Sequence, residues 1–162
     1  MTPFDPERLL KALAHRGVSY ILVGAVAARL QGFPRMTADA DITPATDAEN
    51  LGRLAAALRD LEARIYTESV PDGLPFDFSA ESLSGALFWN LTTKAGRLDV
   101  IFEPAGTKGY EDLTTSALSL QVFGVEVRAA SLQDIVRSKQ ASDRPQDRQD
   151  AIVLRQMLRE RK

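Results

Sequence analysis

The sequence predicts an α/β (α+β) fold: a mixed β-sheet flanked by helices, with a helical pair at the C-terminal end. Two observations predict it. Stretches with apolar residues at helical spacing alternate with compact β-branched runs, in the order helix, strand, helix, strand, helix, several strands, two helices. The length of 162 residues, with 44% hydrophobic and 26% charged side chains, suits one globular domain and argues against disorder or fibrous repeats. Within that domain, residues 1–130 form the core and residues 131–162 form helices packed on it.

The elements follow in order. Pro6 to Arg16 carries Leu9, Leu10, Leu13 and Ala14 on one helical stripe, and Gly17 ends it. Val18 to Val23 is a β-branched and aromatic run that stops at Gly24, the mark of a strand. Ala25 to Gln31 is Ala-rich and reads as a short helix closed by Gly32. Ala38 to Ile42 alternates apolar and acidic residues, a strand with one wet face on which Ala38, Ala40 and Ile42 point inward. Asp47 to Tyr66 reads as a long amphipathic helix running into a strand near Ile65. Residues 69–80 hold Pro71, Gly73 and Pro75 and read as a loop. Leu87–Thr93 and Leu98–Phe102 flank Lys94-Ala95-Gly96-Arg97 as a hairpin, and Trp89 alternates with Leu87 and Leu91 as a sheet-packing residue. Leu118–Val122 and Val125–Arg128 form a second hairpin around Phe123-Gly124. Ser131, with Asp134 three residues on, starts a helix, and Pro145 opens a final helix to about Arg159.

Composition removes whole classes of chemistry. The chain has no cysteine, which excludes disulfides, thiolate catalysis and Cys-ligated metals. Its one histidine, His15, falls in the first helix as a surface or boundary residue, so a His-rich metal site is excluded. Carboxylates, Lys, Arg and hydroxyls remain, a set suited to hard cations and phosphates. Net charge is −2, unevenly spread: residues 1–127 carry 11 basic and 17 acidic side chains, residues 128–162 carry 9 and 5. The basic end either meets phosphates or is a solvated helix face. No apolar run is long enough to span a membrane, and Met1-Thr2-Pro3-Phe4-Asp5 lacks the features of a signal peptide, so a cytoplasmic location is expected.

The informative segment is Val23-Gly24-Ala25 … Arg35-Met36-Thr37-Ala38-Asp39-Ala40-Asp41-Ile42. In a strand, residues two apart share a face, so Asp39 and Asp41 point the same way, about 7 Å apart along the backbone. Two carboxylates so placed repel unless a cation lies between them, and they fit Mg²⁺ held by oxygen ligands. The alternative is an edge strand with solvated acids. Asp99, in Leu98-Asp99-Val100-Ile101, is an acid inside an apolar run. It either pairs with Arg97 on its own face or joins the first two if the strands are neighbours, the three-carboxylate arrangement of two-metal phosphoryl chemistry. Gly24, between strand and helix, leaves backbone N–H groups open to phosphate or is simply a turn. Arg35 and Thr37 offer a guanidinium fork and a hydroxyl to a triphosphate, or form a surface loop.

The C-terminal helices give an independent signal. Leu132, Ile135, Val136 and Lys139 share one stripe, and Asp147, Asp150, Ala151, Leu154 and Leu158 share another. Charges on an inward stripe require partners. Either Lys139 pairs with Asp147 or Asp150 to dock the helices, or Lys139 binds phosphate with an acid orienting it. Arg144 adjoins the same cluster.

These residues together resemble the DNA polymerase β-type nucleotidyltransferase superfamily. Its signature is an apolar residue with Gly-Gly or Gly-Ser, a spacer of about a dozen residues, an Asp-x-Asp between apolar residues, and a third acid on a later strand. Here Val23-Gly24-Ala25 precedes Asp39-Ala40-Asp41-Ile42 by 13 residues, and Leu98-Asp99-Val100 supplies the third acid. Arg35-Met36-Thr37, and Lys139 with Arg144-Pro145-Gln146-Asp147-Arg148-Gln149-Asp150, are similar to small prokaryotic members related to AbiEii-like toxins. The resemblance covers residues 18–42, 97–102 and 131–154. It departs at Ala25, which stands where a second Gly or a Ser is usual and so lacks a hydroxyl for the β- and γ-phosphates.

The resemblance implies an Mg²⁺-dependent enzyme, with Mn²⁺ able to substitute, that transfers a nucleoside monophosphate from an NTP such as ATP to a hydroxyl. Asp39, Asp41 and Asp99 would be the catalytic residues and ligands of a two-metal site. Gly24, Arg35, Thr37, Lys139, Asp147 and Asp150 would hold the nucleotide. The implied acceptor is tRNA or another RNA, a partner protein or, less strongly, a small molecule, in a toxin–antitoxin setting and with no membrane partner. The alternative, favoured by Ala25, is a catalytically inactive nucleotidyltransferase-fold binding or regulatory subunit, antitoxin-like.

Overall fold

The computed structural model describes residues 2–34 and 37–161. Among them, seven strands form one mixed sheet and seven helices flank it. The elements are α1 (Pro6–His15), β1 (Tyr20–Val23), α2 (Gly24–Leu30), β2 (Asp39–Pro44), α3 (Ala48–Asp60), β3 (Arg64–Ile65), α4 (Ala80–Leu83), β4 (Phe88–Thr93), β5 (Gly96–Ile101), α5 (Tyr110–Thr114), β6 (Leu118–Val122), β7 (Val125–Ala129), α6 (Leu132–Ser142) and α7 (Pro145–Glu160). The sheet order is β3-β4-β5-β2-β1-β7-β6. Sequential neighbours pair antiparallel, whereas β2–β5 and β1–β7 pair parallel. The α+β class read from the sequence is the observed one.

Local chemistry sets the elements. Asp5, Asp47 and Ser131 cap α1, α3 and α6 by accepting N–H bonds from Arg8, Asn50 and Asp134. The predicted stripes are buried: Leu9, Leu10 and Leu13 of α1 and Leu51, Leu54 and Leu58 of α3 join Leu22, Ile42, Leu91, Leu98 and Val100 of the sheet in one core. Each such leucine contributes about 1.5–3 kcal/mol over an exposed one. Asn50 is buried and fully used: its Oδ1 accepts from Ser19 N, and its Nδ2 donates to the Ser19 and Ala45 carbonyls. This fixes α3 against the ends of β1 and β2.

The structure differs from the sequence reading in four places. The helix over 47–66 ends at Asp60, and only Arg64–Ile65 follows as strand. α4 and α5 are helices that the sequence reading does not include, α4 starting at the last residue of the 69–80 loop. Ala38 precedes β2 and is exposed, not core. Leu87 lies outside β4 and is 80% exposed, while Trp89 packs between Phe76 and Phe78 and donates its indole N–H to the Leu83 carbonyl. Among the described residues, no helix is long and apolar enough to cross a membrane.

Candidate functional site

β2 presents Asp39 and Asp41 on one face and buries Ala40 and Ile42 on the other, as its alternation requires. The parallel register of β2 and β5 places Asp41 opposite Asp99 and Asp39 opposite Arg97. The three carboxylates therefore lie on one face of two adjacent strands. The antiparallel β4 extends this face: Asn90 stands opposite Asp99, and Phe88 opposite Ile101.

Burial and mutual repulsion govern the acids. Asp41 is pushed up to about 7, first by burial and then by the charges of Asp99 and Asp39, with Lys139 acting against them. Asp99 is also raised by burial, which Arg97 opposes. The interaction of the two carboxyls adds to the rise of Asp41 and works against that of Asp99. Arg97 Nη2 is 3.4 Å from Asp99 Oδ1, and its guanidinium carbon sits 3.6 Å from the centre of the Tyr66 ring. Both alternatives raised for Asp99 thus coexist: it pairs with Arg97 and also meets the acids of β2.

Gly24 is required by its surroundings. Its φ of +68° is left-handed, and a Cβ there would overlap Asp41 Oδ2 and stand 3.2 Å from Asp41 Cγ. The tight turn between β1 and α2 thus lets backbone and carboxylate approach closely. Thr37 donates its hydroxyl to the Asp39 carbonyl at 2.8 Å, which shapes the entry into β2. Arg35 lies outside the described residues.

A cleft of about 680 Å³ opens over this face, within the size range of small-molecule sites. Gly24, Ala25, Thr37, Asp39 and Asp41 line its sheet side; Ser138, Lys139, Arg144 and Asp147 line its helical side. Asp99 lies one strand further on, and Asp150 lies beneath Lys139. Lys139 Nζ is 3.0 Å from Asp150 Oδ2 and 3.5 Å from Asp147 Oδ1. The helix-docking ion pair is therefore present, and the same lysine faces the cleft. Burial works to raise Asp147, yet hydrogen bonds from Arg144 and Ser142 hold it well below the usual carboxylate range. Arg144 Nε is 2.8 Å from Asp147 Oδ2, although the Arg144 side chain is 77% exposed.

Sequence reasoning missed Ser142, which donates to Asp147, and Gln146, whose amide donates to Asp150 at 2.9 Å. The spacing of four between Gln146 and Asp150 was a readable signal. Nothing in the sequence marked Ser142.

Among the described residues, no three His, Asp or Glu side chains already enclose an ion-sized space. The donor set still fits a hard cation. Asp39, Asp41 and Asp99 offer only oxygens, and the charges of Asp39 and Asp99 push Asp41 up, a repulsion that a cation would relieve.

No protein-family model and no curated protein matches the chain. Solved structures do. The lincomycin-bound lincosamide antibiotic adenylyltransferase LnuA matches with a TM-score of 0.61 at 15% identity, over 95% of this chain and 98% of that one. ANT(2'')-Ia in complex with adenylyl-2''-tobramycin matches at 0.58 and 19%, over 94% and 87%. A Thermotoga maritima protein described as a candidate nucleotidyltransferase matches at 0.54 and 18%, over 99% and 98%. At these identities the likeness establishes a shared fold, that of the nucleotidyltransferases.

Proposed function

We propose that this chain, which has the nucleotidyltransferase fold, is a divalent-metal-dependent nucleotidyltransferase that passes a nucleoside monophosphate from an NTP to a hydroxyl. The observation that carries the reading is the register of β2 on β5, which sets Asp41 beside Asp99 with Asp39 one step along, at the rim of a cleft whose far wall carries Lys139 and Arg144 paired with acids.

Asp39, Asp41 and Asp99 would hold Mg²⁺ or Mn²⁺, whose charge would offset that of the NTP phosphates when bound. The chain's own residues do the rest. The turn at Gly24 admits phosphate to the backbone beside Asp41. Lys139 and Arg144 present positive charge to the polyphosphate from across the cleft, and Asp147 and Asp150 hold Lys139 in place. Asp99, on the far side of Asp41 from the cleft, accepts the proton of the acceptor hydroxyl. The acceptor oxygen bonds to the α-phosphorus, the bond from that phosphorus to the bridging oxygen breaks, and pyrophosphate leaves.

The solved neighbours whose acceptors are known are antibiotic adenylyltransferases. Their near-complete overlap with this chain favours a small-molecule acceptor over the RNA or partner protein that AbiEii-like members imply. ATP is the favoured donor for the same reason. The second reading, an inactive binding or regulatory subunit, rests on Ala25, which lines the cleft without a hydroxyl.

The test is transfer of label from each α-³²P-labelled NTP, with Mg²⁺, to a panel of hydroxyl acceptors and to cell extract. Wild type should label an acceptor and release pyrophosphate, and Asp39→Ala should do neither. Equal labelling by the variant, or tight NTP binding without turnover in any extract, would remove the enzymatic reading.

A further inference from the structure

Arg97 lies among the acids of the sheet face, and the acids are not what holds it. In the register of β2 on β5 it stands opposite Asp39, two residues before Asp99 on its own strand. Its bond to Asp99 is a single one, Nη2 to Oδ1 at 3.4 Å. The exposed Arg16–Asp60 pair forms the full fork instead, with two bonds of 2.7 and 2.8 Å. Arg97 forgoes that fork because other groups fix it. Its Nε donates to the Leu91 carbonyl at 3.3 Å, and its guanidinium carbon lies 3.6 Å from the centre of the Tyr66 ring. A ring face attracts a cation at this distance, more so away from water, and the Arg97 side chain is only 24% exposed.

Tyr66 is itself anchored. Its N–H donates to the Asn90 carbonyl at 2.9 Å, which carries the β3–β4 pairing one residue beyond Ile65. The residue beside Arg97 on β4 is Thr92, and Gly73 overlies it: a Cβ on Gly73 would stand 2.7 Å from Thr92 Cγ2, so that side is filled. The fold, not Asp99, therefore sets the place of this cation. A group already held needs no ordering when its partner engages it, so Arg97 can orient the Asp99 carboxylate without following it. The same fixed charge, beside Asp99 and opposite Asp39, opposes any further cation among the acids.

We propose that Arg97 is a positioning residue for Asp99, that Tyr66 locks it in place, and that its fixed charge limits how tightly Asp39, Asp41 and Asp99 hold a divalent cation. The orienting role rests on the nucleotidyl-transfer reading, in which Asp99 takes the acceptor proton; the lock and the effect on cation binding do not. Charge and position are separable by substitution. Arg97→Gln removes both. Arg97→Lys keeps the charge but loses the planar group that lies over the ring and bonds to Leu91. Tyr66→Leu keeps the arginine and removes the ring.

The experiment makes three measurements on wild type and variants: Mn²⁺ affinity by calorimetry without nucleotide, the arginine Nε–H spectrum of ¹⁵N-labelled protein, and pyrophosphate release from Mg·ATP with cell extract as the source of acceptor. In wild type the Arg97 Nε–H should be shifted upfield by the ring and exchange slowly with water. Tyr66→Leu should abolish both features, and Asp99→Asn should keep them. Arg97→Gln should raise Mn²⁺ affinity about tenfold, while Arg97→Lys and Tyr66→Leu stay within about twofold of wild type. All three should slow pyrophosphate release at saturating ATP by about tenfold or more with KM for ATP little changed, and Tyr66→Phe, which keeps the ring, should match wild type. Loss of the shifted resonance in Asp99→Asn, or a Mn²⁺ affinity in Arg97→Gln no higher than in wild type, overturns the inference. Full rates in both Arg97→Lys and Tyr66→Leu overturn the orienting role. Should Arg97→Gln fail to fold, Tyr66→Leu and Asp99→Asn decide the matter through the resonance. If wild type releases no pyrophosphate while the resonance and Mn²⁺ results hold, the transferase reading falls and the locked cation stands.

Discussion

Asp41 and Asp99 stand opposite one another in neighbouring parallel strands, and burial together with the charge of Asp99 pushes Asp41 up to about 7. A buried pair of like charges is tolerable only when neutralised. The fold therefore stores, in the centre of its sheet, an electrostatic demand that a proton meets at low pH and a cation can meet at neutral pH.

The first prediction follows from that demand. Asp41 in the unfolded chain titrates near 3.8 and in the folded chain at about 7. Between those values the folded form holds a proton that the unfolded form has released. Stability of the metal-free protein therefore falls as pH rises across this window, at up to about 1.4 kcal/mol per pH unit, and the loss is complete above pH 7. Asp147, held low, contributes in the opposite sense, but its window lies below the ordinary carboxylate range. In chelator, thermal unfolding should show a lower Tm at pH 8 than at pH 5. Asp41→Asn should flatten the profile, and excess Mg²⁺ at pH 8 should recover Tm for wild type only. A flat wild-type profile would mean that burial and the neighbouring carboxylates do not raise Asp41.

The second concerns the turn. Gly24→Ala places a methyl group onto Asp41 Oδ2 in a left-handed conformation that alone costs about 1–2 kcal/mol. Calorimetry with Mg²⁺ and a non-hydrolysable ATP analogue should show at least about a tenfold loss of affinity, roughly 1.4 kcal/mol. Gly17→Ala is the control: it has a similar φ of +68° with nothing within 4 Å of the added Cβ, so it should lose stability without losing nucleotide affinity.

The legible part of the site was the part written in local periodicity. Alternation along 38–42 put Asp39 and Asp41 on one face, and the stripes of the last two helices brought Lys139 to Asp147 and Asp150. Convergence of Asp99 with the first two acids was not local: it depends on a parallel pairing between strands more than 50 residues apart, whose order no short segment encodes. Asn90 was within reach, because the two-residue turn at Lys94-Ala95 sets Thr93 opposite Gly96 and so Asn90 opposite Asp99. α4 and α5 escaped for a different reason. They have four and five residues, and α4 is held by a reciprocal Ser79–Ser82 cap rather than by an apolar stripe. Ala38 was misread because alternation was extended one residue past the strand.

The third prediction separates the two roles of Lys139. Asp147 and Asp150 side chains are only 3% and 5% exposed beside it. Lys139→Met leaves both without that cation and should destabilise the protein by about 3–5 kcal/mol, read as a fall in denaturation midpoint. Adding Asp150→Asn removes one of the two buried carboxylate charges and should restore part of that loss. If Lys139 also serves phosphate, the double variant will still bind nucleotide poorly. Recovery of both stability and nucleotide affinity would reduce Lys139 to a fastener between α6 and α7.

The last prediction is a gain of function, and it decides between enzyme and inactive module. Ala25 lines the cleft one residue beyond Gly24 and is half-buried, in the turn for which phosphate contact is proposed. A serine there adds one donor to an anionic ligand, an interaction of about 1–2 kcal/mol when the acceptor is charged. Ala25→Ser should therefore lower KM for the NTP by roughly five- to thirtyfold with kcat little changed, the signature of added ground-state and transition-state binding alike. In an inactive module the same substitution would tighten nucleotide binding in calorimetry and yield no pyrophosphate. Measuring both quantities on one variant distinguishes a weak-binding catalyst, which the hydroxyl improves, from a fold that holds nucleotide without using it.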